Sequence, residues 1–278
     1  MKTLLPSKKL MAIAAGTFFA LGITANAMAI PQFQVDPDSN AATLNNFYAT
    51  AINGASSERL VKNVPAGTLT ATFGYMDFTG FTNAGPLGSP IGTVAAIDSR
   101  LGIDYGLYLT FNLVAQWDGT GTFGGLGSGY TLTSLNFNVY KDADFAVAAT
   151  RTTFTAATLA SEAAVANTAG DILLGSGSLI TGVAGINAQG GAFLNSTTTY
   201  SNNANGNLFF VDPNPFYNIA FNNFNNTSQG VAIGANAVAI SANGGVDFNR
   251  VPEPATLGLL GLGLLGMGAS SLRKRKAA

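Results

Sequence analysis

Residues 101–118, LGIDYGLYLTFNLVAQWD, alternate apolar and polar side chains with a period of two. Leu101, Ile103, Tyr105, Leu107, Leu109, Phe111, Leu113, Ala115 and Trp117 fall on one side. Gly102, Asp104, Gly106, Tyr108, Thr110, Asn112, Val114, Gln116 and Asp118 fall on the other. A helix would scatter this set around its axis, whereas a strand sends successive side chains to opposite faces. The run therefore dictates a strand with one dry and one wet face, the habit of antiparallel sheets. Its length exceeds an ordinary strand, so a bend or break is expected near Gly102 or Gly106.

Other runs repeat the pattern. Leu69, Ala71, Phe73 and Tyr75 alternate with Thr68, Thr70, Thr72 and Gly74, and Leu135, Phe137 and Val139 alternate with Ser134, Asn136 and Asn138. Less regular strands are expected within 172–183, 191–198, 208–211, 217–221 and 231–240, separated by Gly, Asn and Pro turns. Alanine content marks 154–167 as a helix candidate, with 40–53 as a second. No internal repeat or proline-rich linker divides the chain. The expectation is one all-β domain over residues 30–250. It is an antiparallel β-sandwich, with the jelly roll among the forms it can take, plus one or two short helices.

The chain has no cysteine and no histidine, which removes disulfides, thiolate chemistry and every triad built on His. Charge is sparse at 10% of residues and unevenly placed. Between Ile30 and Arg250 there are six basic residues (Arg59, Lys62, Arg100, Lys141, Arg151, Arg250) against thirteen acidic ones, a net of −7. A body of that charge repels nucleic acid and anionic membranes.

The two ends differ from the body. MKTLLPSKK, an apolar stretch and then TANAMA form a signal peptide over residues 1–29, with small residues at Ala27 and Ala29 marking cleavage. At the other end, residues 254–272 make a 19-residue apolar segment, about 28 Å as a transmembrane helix. Arg273, Lys274, Arg275 and Lys276 follow it as a cytoplasmic flank. Before it, Pro252 and Pro254 hold Val251 and Glu253 extended. Such a strip suits either a rigid spacer or a substrate for a membrane-embedded processing enzyme.

The Pro252-Glu253-Pro254 triplet, the apolar segment and the basic cluster together resemble the PEP-CTERM sorting signal of Gram-negative bacteria. The resemblance implies that 251–278 is recognised and cut by exosortase, a membrane-embedded transpeptidase-like enzyme that accompanies exopolysaccharide production. In the body, FQVDP (33–37), GIDYGLYLTF (102–111), DILLGSGSL (171–179) and NLFFVDPNPFY (207–217) resemble the flocculation-associated PEP-CTERM proteins. That resemblance implies a role in the floc matrix and names no catalytic residue.

Other motifs have plain readings. Gly261, Gly263 and Gly266 form G-x-G-x-x-G inside the apolar tail, and Gly119, Gly121 and Gly124 form it in what reads as a hairpin loop; neither has the strand-then-helix setting of a nucleotide site. Asp36, Asp38 and Asn40 imitate the start of a calcium loop but lack its glycine and final glutamate, so a solvated turn is expected. A calcium site of another kind with Asp142 or Asp144 is the alternative. Glu58, Glu162, Asp104 and Asp118 are the carboxylates from which a glycan-cleaving pair would be drawn; as a catalytic pair, Asp104 and Asp118 would have to converge. Phe209, Phe210, Phe216, Tyr217, Phe221 and Phe224, like Trp117, read as core, with sugar stacking as the alternative. Asn195 and Asn226 read as polar loops.

Taken together, the expectation is a non-enzymatic exported protein with no cofactor and no resident metal. It is held briefly at the inner membrane, processed by exosortase and released to the extracellular matrix or cell surface. There it meets exopolysaccharide, through neutral sugars or through divalent cations that offset the −7, and promotes floc or biofilm formation. The competing expectations are a permanently anchored surface protein and a carboxylate-based polysaccharide-acting enzyme.

Overall fold

The computed structural model describes residues 31–39, 46–83, 92–225 and 230–249. In chain order the strands are β1 (Phe33–Val35), β2 (Phe47–Ala49), β3 (Ala51–Asn63), β4 (Thr68–Asn83), β5 (Gly92–Thr93), β6 (Gly106–Trp117), β7 (Ser128–Asp142) and β8 (Thr153–Thr155). They continue as β9 (Ala164–Ala166), β10 (Ile172–Ile186), β11 (Ala192–Thr199), β12 (Ser201–Asn202), β13 (Phe210–Asp212), β14 (Ile219–Asn225), β15 (Val231–Ile233) and β16 (Ala237–Asn249). Two short helices, α1 (Ala96–Ser99) and α2 (Ala204–Phe209), complete the described elements.

Eight strands close into a ring: β3, β4, β6, β7, β10, β11, β14 and β16, each antiparallel to the next, with β16 paired back to β3 from Ala237↔Val61 to Asp247↔Ala51. The expected antiparallel all-β architecture is present, and its layers are one continuous barrel. Its connections run between nearest neighbours, where a jelly roll would cross over. Closure leaves the ring no unpaired edge, a hazard that an open sheet must cover.

The alternation read over 101–118 sets the inside of the barrel. Leu107, Leu109, Phe111, Leu113 and Ala115 are buried, as are Leu132, Leu135, Phe137 and Val139 of β7. The expected break falls before Gly106, where residues 102–104 turn and Arg100 donates to the Asp104 carboxylate at 2.6 Å. In β4 the alternation holds only to Ala71. A register shift between Ala71 and Gly74 flips the phase, so Met76 and Phe78 enter the core and Tyr75 faces out, contrary to the expectation.

At one end of the barrel the small sheet β13-β1-β2 packs an aromatic cluster. Phe33 lies 5.9 Å from Phe210, 6.0 Å from Phe216 and 5.4 Å from Phe248, mostly edge to face. Phe209 and Phe210 are buried here, so the core reading holds for them. Trp117 is half-buried at the opposite end, with its Nε1 donating to the Thr120 carbonyl at 2.7 Å.

Both helix candidates are overturned over their described residues. Residues 153–166 form the β8–β9 hairpin, because the Phe154 ring packs tilted against Tyr75 and edge to face against Tyr108 on the outside of the barrel. The Thr158 hydroxyl takes the Ala160 and Ser161 N–H groups, and the Ala157 N–H goes to Ser57 Oγ. Those bonds and ring contacts outweigh a helix propensity of a few tenths of a kcal/mol per residue. From the second candidate, 47–49 and 51–53 are strand, while 40–45 lie outside the described residues. Conversely, Asn205 to Phe209, expected in part as strand, form most of α2, which Asn203 caps through its side chain on the Gly206 N–H.

Candidate functional site

The wet faces of β4, β6, β7 and β10 make a groove of about 440 Å³ on the outside of the barrel. Thr72, Thr110, Asn112, Asn136, Asn138, Ser176 and Ser178 line it, with Phe73 exposed to it by the bulge in β4. No lining residue is charged, while the lining Thr72 hydroxyl donates to the neighbouring Glu162 carboxylate. Asn136 Nδ2 donates to Asn112 Oδ1 at 3.3 Å, and the Ser178 and Thr199 hydroxyls bond at 3.1 Å. Amides and hydroxyls supply donors and acceptors alike. Inward-pointing Phe111 and Phe137 also border this groove, because they lie against Gly74 and Gly177, where a side chain would collide with their rings. Polar walls over aromatic edges can hold a neutral polyhydroxyl molecule.

A second arrangement is acidic. Asp142 at the end of β7, Asp144 in the next turn and Asp171 before β10 bring three carboxylate oxygens within 4.8 Å of one another. Asp142 accepts from the N–H groups of Asp144 at 3.2 Å and Thr152 at 2.9 Å. Asp171 Oδ2 accepts from the Tyr108 hydroxyl at 2.6 Å and Thr152 Oγ1 at 2.9 Å. Oδ1 of Asp144 and Oδ1 of Asp171 are buried without a hydrogen-bond partner. Burial holds the Asp142 carboxyl above the ordinary range, while hydrogen bonds from Thr150 and Asp142 hold Asp144 below it. Among the described residues the ion pair is Arg100–Asp104, so no Lys or Arg is ion-paired with this cluster. Such hard oxygens suit a calcium-like ion, completed by water or backbone oxygens. The sequence pointed to Asp142 and Asp144; Asp171 joins them because β7 and β10 are neighbours across the β8–β9 excursion.

The other sequence candidates separate. Asp104 sits before β6 on Arg100, and Asp118 follows β6, accepting from the Thr120 N–H at 2.8 Å. Roughly 40 Å of strand lies between them, so they do not converge as a catalytic pair. Glu162 accepts from Thr72 Oγ1 at 2.7 Å, and Glu58 is buried inside the barrel. Asp36 is also buried, against the solvated turn expected there: Lys141 Nζ threads beneath it to the Pro37 carbonyl at 2.6 Å and Ser39 Oγ at 3.1 Å. Burial and the neighbouring Asp38 push the Asp36 carboxyl up to about 6. Gly119, Gly121 and Gly124 make the β6–β7 hairpin loop, all at positive φ, as expected. Asn195 lies in β11 rather than in a loop.

Ala27, Ala29, Pro252, Glu253, Pro254, Arg273, Lys274, Arg275 and Lys276 lie outside the described residues, with the expected transmembrane helix, Gly261–Gly266 and Asn226. The side chains of Phe221 and Phe224 lie outside them too. Among the described residues no helix is long and apolar enough to cross a membrane. No curated protein and no solved structure matches the chain. The family description "PEP-CTERM protein-sorting motif" matches residues 250–275, beginning at the residue after the last one of β16. That motif is a C-terminal sorting signal for export and implies processing by exosortase, so the chain carries a PEP-CTERM sorting signal over 250–275.

Proposed function

We propose that this protein is a non-enzymatic component of the extracellular matrix, exported, cut by exosortase within 251–278, and associated with exopolysaccharide to promote floc or biofilm formation. The observation that carries this reading is the junction at Asn249 and Arg250: the barrel's last paired residue directly precedes the sorting motif. Removing the motif costs the ring none of its described strand residues, so the exported product is expected to keep its fold.

Two features support a glycan partner. The neutral groove over Asn112, Asn136 and Asn138 offers hydrogen bonds without the repulsion that a −7 body presents to anionic polymers. The Asp142, Asp144 and Asp171 cluster offers the other route, a divalent cation shared with an anionic glycan. Deleting 251–278 tests the reading: the truncated protein is expected to miss its destination and the cells to stop aggregating. Unchanged location and aggregation overturn it. Chelation separates the two routes. Binding to an anionic glycan that survives chelation excludes cation bridging.

A further inference from the structure

Glu58 projects from β3 into the barrel and is 7% exposed, and its Oε2 has no hydrogen-bond partner. Burial pushes its carboxyl up to about 8, so at neutral pH it is uncharged and offers both a donor and an acceptor. A buried polar atom left unmatched destabilises a fold. Two small chambers flank this group and share Glu58 and Leu194. The first, about 40 Å³, is walled by Leu60, Leu69, Leu113 and Ile240; the second, about 30 Å³, by Leu109, Leu135, Phe137 and Asn222. One water needs about 10–15 Å³ of such space, so together they admit about five or six non-hydrogen atoms. Eight-stranded barrels are wide enough for packed side chains or one small ligand. Apart from Glu58, the lining groups that ionise are limited to the Tyr130 phenol, so nothing in the lumen would neutralise an anionic guest.

We propose that the lumen beside Glu58 binds a small neutral molecule with a short unbranched apolar chain and one hydroxyl or carbonyl group. The polar group meets the Glu58 carboxyl, and the chain lies past Leu194 between the leucine walls. This site is separate from the outer groove and does not depend on the glycan reading.

The probe is 1-pentanol, titrated into full-length protein in detergent with leucine methyl groups followed by NMR. Saturable shifts are expected at Leu60, Leu113, Leu135 and Leu194. Glu58→Gln, which keeps a donor and an acceptor, is expected to bind within about threefold of the parent, and Glu58→Leu at least tenfold more weakly. Leu194→Phe, which fills the shared wall, is expected to abolish the shifts, and the pentanoate anion to produce none. Both Glu58 variants remove a buried acid and are expected to fold, as circular dichroism checks. Partition into micelles is common to all variants and cancels. The proposal is overturned if pentanol gives no saturable shift, as for a lumen holding water alone, or if Glu58→Leu and Leu194→Phe bind it as the parent does.

Discussion

Glu58 ties the stability of the fold to pH. Its folded-state carboxyl titrates near 8 against an ordinary value of 4.5, because the lumen desolvates the charged form. Between those values the folded protein keeps a proton that the unfolded chain releases. Stability is therefore full below about pH 4.5 and falls as pH rises to about 8. The shift corresponds to roughly 5 kcal/mol as an upper bound. Glu58→Gln is expected to flatten that fall and to be more stable than the parent at pH 8, measured by urea unfolding at pH 5 and pH 8. A parent whose stability does not drop between these pH values contradicts the assignment. At the acidic cluster, Asp171→Asn removes one of the two unpartnered oxygens' carboxylates. Calcium at about a hundredfold over its Kd would add about 2.7 kcal/mol. That is a rise in Tm of roughly 5–10 °C for a chain of this size. Scanning calorimetry should find the rise in the parent and not in Asp171→Asn; an equal rise in both, or none in the parent, excludes the site.

At the scale of elements, the row Gly74, Phe111, Phe137, Gly177 crosses four adjacent strands in register. Each ring lies over a glycine where a Cβ would collide with it, and at Gly177 the Thr199 carbonyl also blocks the position. Gly177→Val is therefore expected to cost about 1–3 kcal/mol by overpacking, whereas at Gly80 the nearest atom is 3.9 Å from a built Cβ and Ala should be tolerated. Equal urea midpoints for the two variants would contradict this packing. These elements also show what the sequence reveals. The wet and dry faces of β6 and β7 were readable because a period of two survives whatever the sheet closes onto. The flip in β4 was not, because a bulge leaves no mark in composition. The β8–β9 hairpin was hidden by its alanines, since its strand geometry comes from Phe154 docking on Tyr75 and Tyr108, partners roughly eighty and fifty residues distant in sequence. Asp142 and Asp144 stood out as near neighbours, while Asp171 needed the β7–β10 pairing to join them.

For the whole molecule, closure of the ring by β16 on β3 places the last strand of the barrel immediately before the sorting motif. The acidic body and the basic tail then have separate roles. In the proposed reading the tail is an address removed once read, and the acidic body is what it delivers. The motif was legible in full, since its prolines, apolar run and basic cluster are local features. The role proposed for the body rests in the sequence on a resemblance alone, and the neutral groove offered in its support exists because four strands align their wet faces. Mass spectrometry of the exported protein tests the central claim most directly. The account predicts a C-terminus within Val251 to Pro254 or shortly after it, and no peptides from Leu257 to Ala278. Recovery of those peptides from the mature exported protein would contradict it.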